Sequence, residues 1–308
     1  MHTKIFALAV AALLGVAFVG CGEAKKPRAS KKSSPSTSSE TSTTTASNDK
    51  ASTPPAETTT KAAPAGDAPA TGDWGTLKGK FVFNGTAPTP EPIKVDKDPD
   101  VCGKHNLVDE SLVVGEGGGL ANVTIWVRSK VENIHPDYDS LKKEKVVIDN
   151  KDCRFTTRVA TYWTGQPLEL KNSDPIAHNI NAGLQVNDPF NEIVPADKFS
   201  DHKPLEKGET YISPLSCNIH GWMKGFVLVQ PHPYMAVSAK DGTFEIKNLP
   251  TGTELEFQVW QEKSGYVQKA EIDGKDAKWA KGRFKYTIKA GDNDLGTIKL
   301  DPAQFNKS

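Results

Sequence analysis

From Trp74 onward the chain is written in short β-branched and aromatic runs, and no long stretch keeps a 3.6-residue apolar period. That texture restricts the fold more than any other feature, because an amphipathic helix needs the longer period and a half-buried strand does not. The runs include Leu77-Lys78-Gly79-Lys80-Phe81-Val82-Phe83, Val123-Thr124-Ile125-Trp126-Val127, Lys145-Val146-Val147-Ile148 and Gly225-Phe226-Val227-Leu228-Val229. Later come Gly242-Thr243-Phe244-Glu245-Ile246, Leu255 to Trp260, Phe284 to Ile288 and Gly296 to Leu300. Gly, Pro, Asn and Asp separate them, as strands separated by turns require. Asp241-Gly242 predicts a hairpin turn and Leu249-Pro250-Thr251-Gly252 a rigid one. The expected fold class is all-β and sandwich-like.

The N-terminal quarter is different. Met1-His2-Thr3-Lys4 is a basic start, and the apolar run Ile5 to Val19 is too short for a comfortable membrane span. It ends in Phe18-Val19-Gly20-Cys21, which resembles a bacterial lipobox. That resemblance implies a signal peptide over residues 1–20, cleaved before Cys21, and a lipid on the Cys21 sulfur; an ordinary secretory signal with a chance Cys is the alternative. It further implies a chain anchored in the bacterial cell envelope and facing the periplasm. Gly22 stands where some bacteria place a retaining Asp, which favours the outer membrane. Residues 21–73 are Ser, Thr, Ala, Pro and Lys with almost no large apolar side chain, the composition of a disordered linker. About 50 residues of such coil reach roughly 40 Å. Lys25, Lys26, Arg28, Lys31 and Lys32 would touch anionic headgroups or simply be solvated.

Lys and Arg total 38 against 38 Asp and Glu, so no basic excess points to a nucleic-acid partner. The chain has four Cys. With Cys21 set aside for lipid and Cys217 for the chemistry below, Cys102 and Cys153 remain. In an exported protein an even remainder predicts a disulfide, with two buried free thiols as the alternative.

Cys217-Asn218-Ile219-His220-Gly221-Trp222-Met223 places a thiol, an imidazole and a thioether on one short loop. His178 lies upstream in Asn172-Ser173-Asp174-Pro175-Ile176-Ala177-His178-Asn179. One thiolate, two imidazoles and a weak thioether are the ligands of a blue-copper electron-transfer centre. A loop between two strands can aim Cys217, His220 and Met223 at one point while His178 arrives from a neighbouring strand end. The alternatives are a buried structural Cys, satisfied His side chains and a Met that fills core. Trp222 and Ile219 would exclude water from the centre or pack the loop. His105, His135, His202 and His232 lack ligand-like neighbours, although His202 lies between the two ligand segments.

Two segments carry a resemblance to cupredoxins. Gly165 to His178 is similar to that family's Gly, apolar strand, Asn-x-Asp turn and first His ligand, and Leu205 to Val229 is similar to its second half. The short Cys-x-x-His-x-x-Met spacing resembles amicyanin rather than plastocyanin. The aromatic pair that usually precedes the Cys is replaced by Tyr211-Ile212-Ser213-Pro214-Leu215-Ser216, so packing beside the thiolate departs from the family. The resemblance implies one copper held by His178, Cys217, His220 and Met223, with Asn179 tying the two ligand loops together. It also implies one-electron transfer to redox partner proteins through an exposed edge of His220, and no enzymatic turnover. A non-redox surface or carbohydrate-binding lipoprotein, or a copper-handling one, is the alternative.

Residues 75–85 with 120–126, and then 241–252, resemble two halves of a carboxypeptidase-regulatory-like β-sandwich. The expected division is 74–143 and 232–301 for that sandwich, with a cupredoxin Greek-key sandwich over 144–231 inserted between them. Two consecutive domains are the alternative, and nothing fixes the oligomeric state. Other chemistries find no motif. Cys-x-x-x-Cys, Gly-x-Ser-x-Gly and His-Glu-x-x-His are absent. Gly117-Gly118-Gly119 lacks a following Lys-Ser/Thr and reads as a turn or bulge. Asp137, Asp139, Asp188 and Asp201 are scattered, with nothing pairing them as acid and base.

Overall fold

The computed structural model describes residues 73–306, so the expectations at Cys21, the signal peptide and most of the linker lie outside the described residues. The chain opens with β1 (Trp74–Phe83) and β2 (Thr124–Val127). A block follows of β3 (Val146–Lys151), β4 (Arg154–Phe155), β5 (Val159–Trp163), β6 (Leu168–Asn172), β7 (His178–Ala182), β8 (Phe190–Val194), β9 (Lys198–His202), β10 (Ser213–Ser216) and β11 (Lys224–Gln230). The last part holds β12 (Met235–Val237), β13 (Thr243–Pro250), β14 (Glu254–Gln261), β15 (Gly265–Tyr266), β16 (Lys269–Ile272), β17 (Lys275–Lys278), β18 (Arg283–Thr287) and β19 (Gly291–Leu300). The fold is all-β, and among the described residues helix is limited to α1 (Pro99–Cys102) and short 3-10 turns.

Pairing divides the strands cleanly. β3 to β11 pair only with one another, in sheets ordered β5-β11-β10-β7-β8 and β4-β3-β6-β9. The strands before and after them share the other two sheets, β13-β1-β19-β16-β17 and β12-β2-β14-β15, with β18 on β14. The hydrophobic clusters follow the same division. One gathers Leu77, Phe81, Ile125, Phe257, Val259 and Ile298, and the other Ile148, Tyr162, Leu170, Ile180, Leu215 and Val227. Period-2 alternation produces this: β6 buries Leu168, Leu170 and Asn172 and turns Glu169 and Lys171 outward. Burying one Leu or Phe face contributes about 2 kcal/mol per side chain, so each sheet pair supports its own core.

The junction between the sandwiches is polar and aromatic. Arg158 donates twice to Glu262, at 2.7 and 2.6 Å, and Phe226 meets the Trp260 ring edge-on at 4.8 Å. The Asp241-Gly242 turn closes as expected, with Gly242 N–H to Ala239 O and Ala239 N–H to Thr243 O. It carries the chain from β12 to β13, which lie in different sheets, and a side chain on Gly242 would run into the Phe81 carbonyl. The Gly117–Gly119 run is a turn, with Gly117 and Gly118 at positive φ.

Between β1 and β2 the chain throws out a long loop. Residues 91–109 close on themselves through Ile93 N–H to Leu107 O and Asp109 N–H to Glu91 O. This strap is fastened to the β3–β11 sandwich by the Cys102–Cys153 disulfide. His105 beside Asp152 and an ion pair from Arg154 to Glu110 fasten it further.

Candidate metal centre

His178 starts β7 because the turn before it is locked from inside. The buried Asn172 amide donates to the carbonyls of Ile176, Val194 and Pro195, and its oxygen accepts the Asp174 N–H. Cys217 follows β10, and its loop returns to β11 through Cys217 N–H to Met223 O and Met223 N–H to His220 O. β10 pairs with both β7 and β11, so the two ligand segments are neighbours in one sheet.

The side chains converge. Cys217 Sγ lies 3.8 Å from His178 Nδ1 and 3.9 Å from His220 Nδ1, and the two Nδ1 atoms are 2.9 Å apart. All three residues are buried. Metal bonds of about 2.3 Å to sulfur and about 2.0 Å to nitrogen would span such S···N separations, so this donor set fits a metal ion at its centre. Met223 is buried on the same turn.

Asn179 ties the two segments. Its N–H points at Cys217 Sγ at 3.5 Å, and its side-chain oxygen accepts from the Asn218 and Ile219 amides. Asn191 fixes the other end of that side chain. Within Tyr211 to Ser216, the segment leading into Cys217, Leu215 is buried in the core.

Each imidazole has a carboxylate on its far nitrogen. Asp174 Oδ2 lies 2.8 Å from His178 Nε2, and Asp98 Oδ2 lies 2.8 Å from His220 Nε2. An acceptor at Nε2 holds a proton there and turns the Nδ1 lone pair toward the sulfur, as ligating histidines require. Burial pushes the Asp174 carboxyl up, but His178 and the Cys153 and Asp152 amides outweigh that and hold it below the usual carboxylate range. Burial likewise pushes the Cys217 thiol up, yet His178, the Asn179 amide and His220 bring it down to about 6. For His178 burial disfavours the cation, but Asp174 and the Cys217 sulfur raise the ring to about 9. Thiolate and imidazolium are therefore the natural pair here, and a metal ion must displace the His178 proton.

The structure corrects one expectation. His220 has no exposed edge, because the strap lies over it with Asp98 on its far nitrogen. Sequence reasoning missed Asp98 altogether. It lies 122 residues from His220, and its only signal is its closeness to Cys102, whose expected partner Cys153 leads to this site. Trp222 meets the His220 ring at 5.2 Å and donates to the Cys153 carbonyl.

Among the described residues, the other histidines stay apart from this cluster. His202 pairs with Glu192 at 2.5 Å, and His135 accepts the Asp137 amide. His232 is buried beside Tyr234. Asp188 pairs with Lys203 and Asp201 with Lys145, so neither forms an acid–base couple.

No protein-family model matches the chain, and no curated protein matches it. Among solved structures it is similar to amicyanin from Paracoccus versutus, at 22% identity and a TM-score of 0.25, over 34% of this chain and 97% of that one. It is also similar to a purple cupredoxin from Nitrosopumilus maritimus, at 21% identity and a TM-score of 0.23, over 28% of this chain and 98% of that one. A copper-containing nitrite reductase from Thermus scotoductus overlaps 34% of this chain and 25% of its own length, at 18% identity and a TM-score of 0.26.

Proposed function

We propose that this chain is a type-1 (blue) copper protein that carries single electrons in the bacterial cell envelope, tethered to a membrane by a lipid on Cys21. The observation that carries the reading is the buried triangle of Cys217 Sγ, His178 Nδ1 and His220 Nδ1. One thiolate and two imidazoles at these separations are the ligand chemistry of that class of centre. Bound copper supplies a one-electron couple between Cu(I) and Cu(II).

The chain's own residues do the rest. Cys217 would give its thiolate, His178 and His220 their Nδ1 nitrogens, and Met223 its thioether. Asp174 and Asp98 fix the imidazole planes, while Asn179 keeps the ligand segments from moving apart. Trp222 and Ile219 keep water out. A site held this rigidly rearranges little when its charge changes, which is what fast outer-sphere transfer needs. The partners are other redox proteins, and no catalytic turnover is assigned to the chain. The sandwich of β1, β2 and β12–β19, read as carboxypeptidase-regulatory-like, supplies the frame from which the strap reaches the centre.

The test is a redox titration of copper-loaded protein beside a chelator challenge. The reading expects one reversible electron per copper and slow loss of metal. Fast metal loss without reversible redox would establish copper storage or delivery, and failure to bind copper would leave a non-redox surface lipoprotein.

A further inference from the structure

Asp98 is built at some cost for the place it occupies. Its backbone is left-handed, φ 48° and ψ 48°, a region that non-glycine residues seldom adopt. It stands at the N-cap of α1, where an Asp side chain ordinarily accepts an amide of the first turn, yet here it makes no such bond. The carboxylate goes to His220 Nε2 at 2.8 Å. Four residues on, Cys102 joins Cys153.

Cys153 is strained in the same sense. Asp152 and Cys153 form the two-residue turn between β3 and β4 with φ of 55° at both, where Asn-Gly is the favoured pair. In that posture Cys153 donates its N–H to Asp174, accepts from Trp222 Nε1 and holds the strap through sulfur. One half-cystine thus supports the carboxylate behind His178 and anchors the carboxylate behind His220. Asp98 and Cys153 are two of nine non-glycine described residues at positive φ, and both are tied to this centre, Asp98 through His220 and Cys153 through Asp174.

We propose that Asp98 is a positioning residue for the metal centre, and that the Cys102–Cys153 disulfide latches it and its strap over His220, so that a dithiol reductant opens this edge of the site. This rests on reading His220 as a metal ligand. In the opening step the Cys102–Cys153 bond breaks. Two electrons and two protons pass from the dithiol, leaving two cysteine thiols and an oxidised, disulfide-bonded reductant. With the latch intact the strap shields His220 from partners and from exchange. With it open, His220 gains the solvent-facing edge that the strap otherwise denies it.

Two measurements test this on the full chain. The first, on metal-free protein, follows diethyl pyrocarbonate modification of His220 by peptide mass spectrometry before and after dithiothreitol. His220 is expected to react at least about tenfold faster after reduction, and faster in Asp98→Ala even when oxidised, once its charge-assisted bond is gone. Asp98→Asn retains an acceptor oxygen and is expected to restore protection. Equal reactivity before and after reduction overturns the latch, and Asp98→Asn behaving like Asp98→Ala overturns hydrogen-bonded positioning. Should Asp98→Ala fail to fold, wild type and Asp98→Asn still decide the matter.

The second measurement compares Cu(II) electron spin resonance of the three proteins. Asp98→Ala is expected to change the copper hyperfine coupling and Asp98→Asn to recover it; an identical spectrum in Asp98→Ala overturns positioning. If wild type takes up no copper, the copper reading falls, while the His220 reactivity still reports on the latch.

Discussion

At the scale of single residues, the site is a set of opposed protonation preferences. With His178 raised to about 9 and Cys217 lowered to about 6, a metal ion competes with the His178 proton between those values and with the Cys217 proton as well below them. Apparent copper affinity, measured by chelator competition, is therefore expected to rise about tenfold per pH unit from 6 to 9, and more steeply below 6. An affinity that is flat from pH 6 to 8 would contradict the assignment of His178. Asn179→Ala removes the oxygen that two loop amides share and is expected to cost about 1–3 kcal/mol, read as a lower melting temperature and faster copper loss.

His232 makes a different prediction. Burial holds its pKa down at about 4, so it is neutral in the folded protein. Its contribution is complete above its unfolded value near 6.5 and is lost as pH falls through 4, amounting to about 3 kcal/mol. His232→Gln is expected to shrink the loss of stability between pH 6.5 and 4. An unchanged pH slope in that variant would assign the acid sensitivity elsewhere. The meeting of His178, Cys217, His220 and Asn179 was legible because residue type and spacing carry it locally. Asp98 was not, since long-range placement leaves no local pattern. The buried edge of His220 escaped for the same reason.

At the scale of elements, period-2 alternation made the strands readable, and β10 with β11 falls where the Cys-to-Met loop demands. Turn chemistry was less readable. Asp241-Gly242 makes the tight turn its residues call for, and Gly242 also meets the close approach of Phe81, but the strands on either side lie in different sheets. Asp152-Cys153 has the backbone of a tight hairpin with Cys where Gly is favoured, and that Cys carries the disulfide. That bond closes a 51-residue separation. Replacing both cysteines with Ser is expected to cost about 4 kcal/mol on chain entropy alone, measured by urea denaturation. A loss below about 1 kcal/mol would mean that the strap is held by its polar contacts instead.

At the scale of the molecule, β3 to β11 sit between β2 and β12 in sequence and pair only with themselves. How the sandwiches hold together was not legible, because Arg158 and Glu262 are ordinary charged residues in the sequence. In the fold each is mostly buried and faces the other. Arg158→Ala strands the Glu262 carboxylate and is expected to cost about 3 kcal/mol, whereas the Arg158→Met, Glu262→Leu double variant recovers most of that loss. Additive losses in the double variant would show that the pair is not coupled.

The central claim is that one thiolate and two imidazoles converge on a single copper. Absorption and electron spin resonance of the full chain loaded with one equivalent of Cu(II), beside Cys217→Ser, test it most directly. The account predicts an intense thiolate-to-copper band in the visible red with a narrow copper hyperfine splitting, both lost in Cys217→Ser. A pale protein with the wide splitting of ordinary tetragonal copper, unchanged by the substitution, would contradict it.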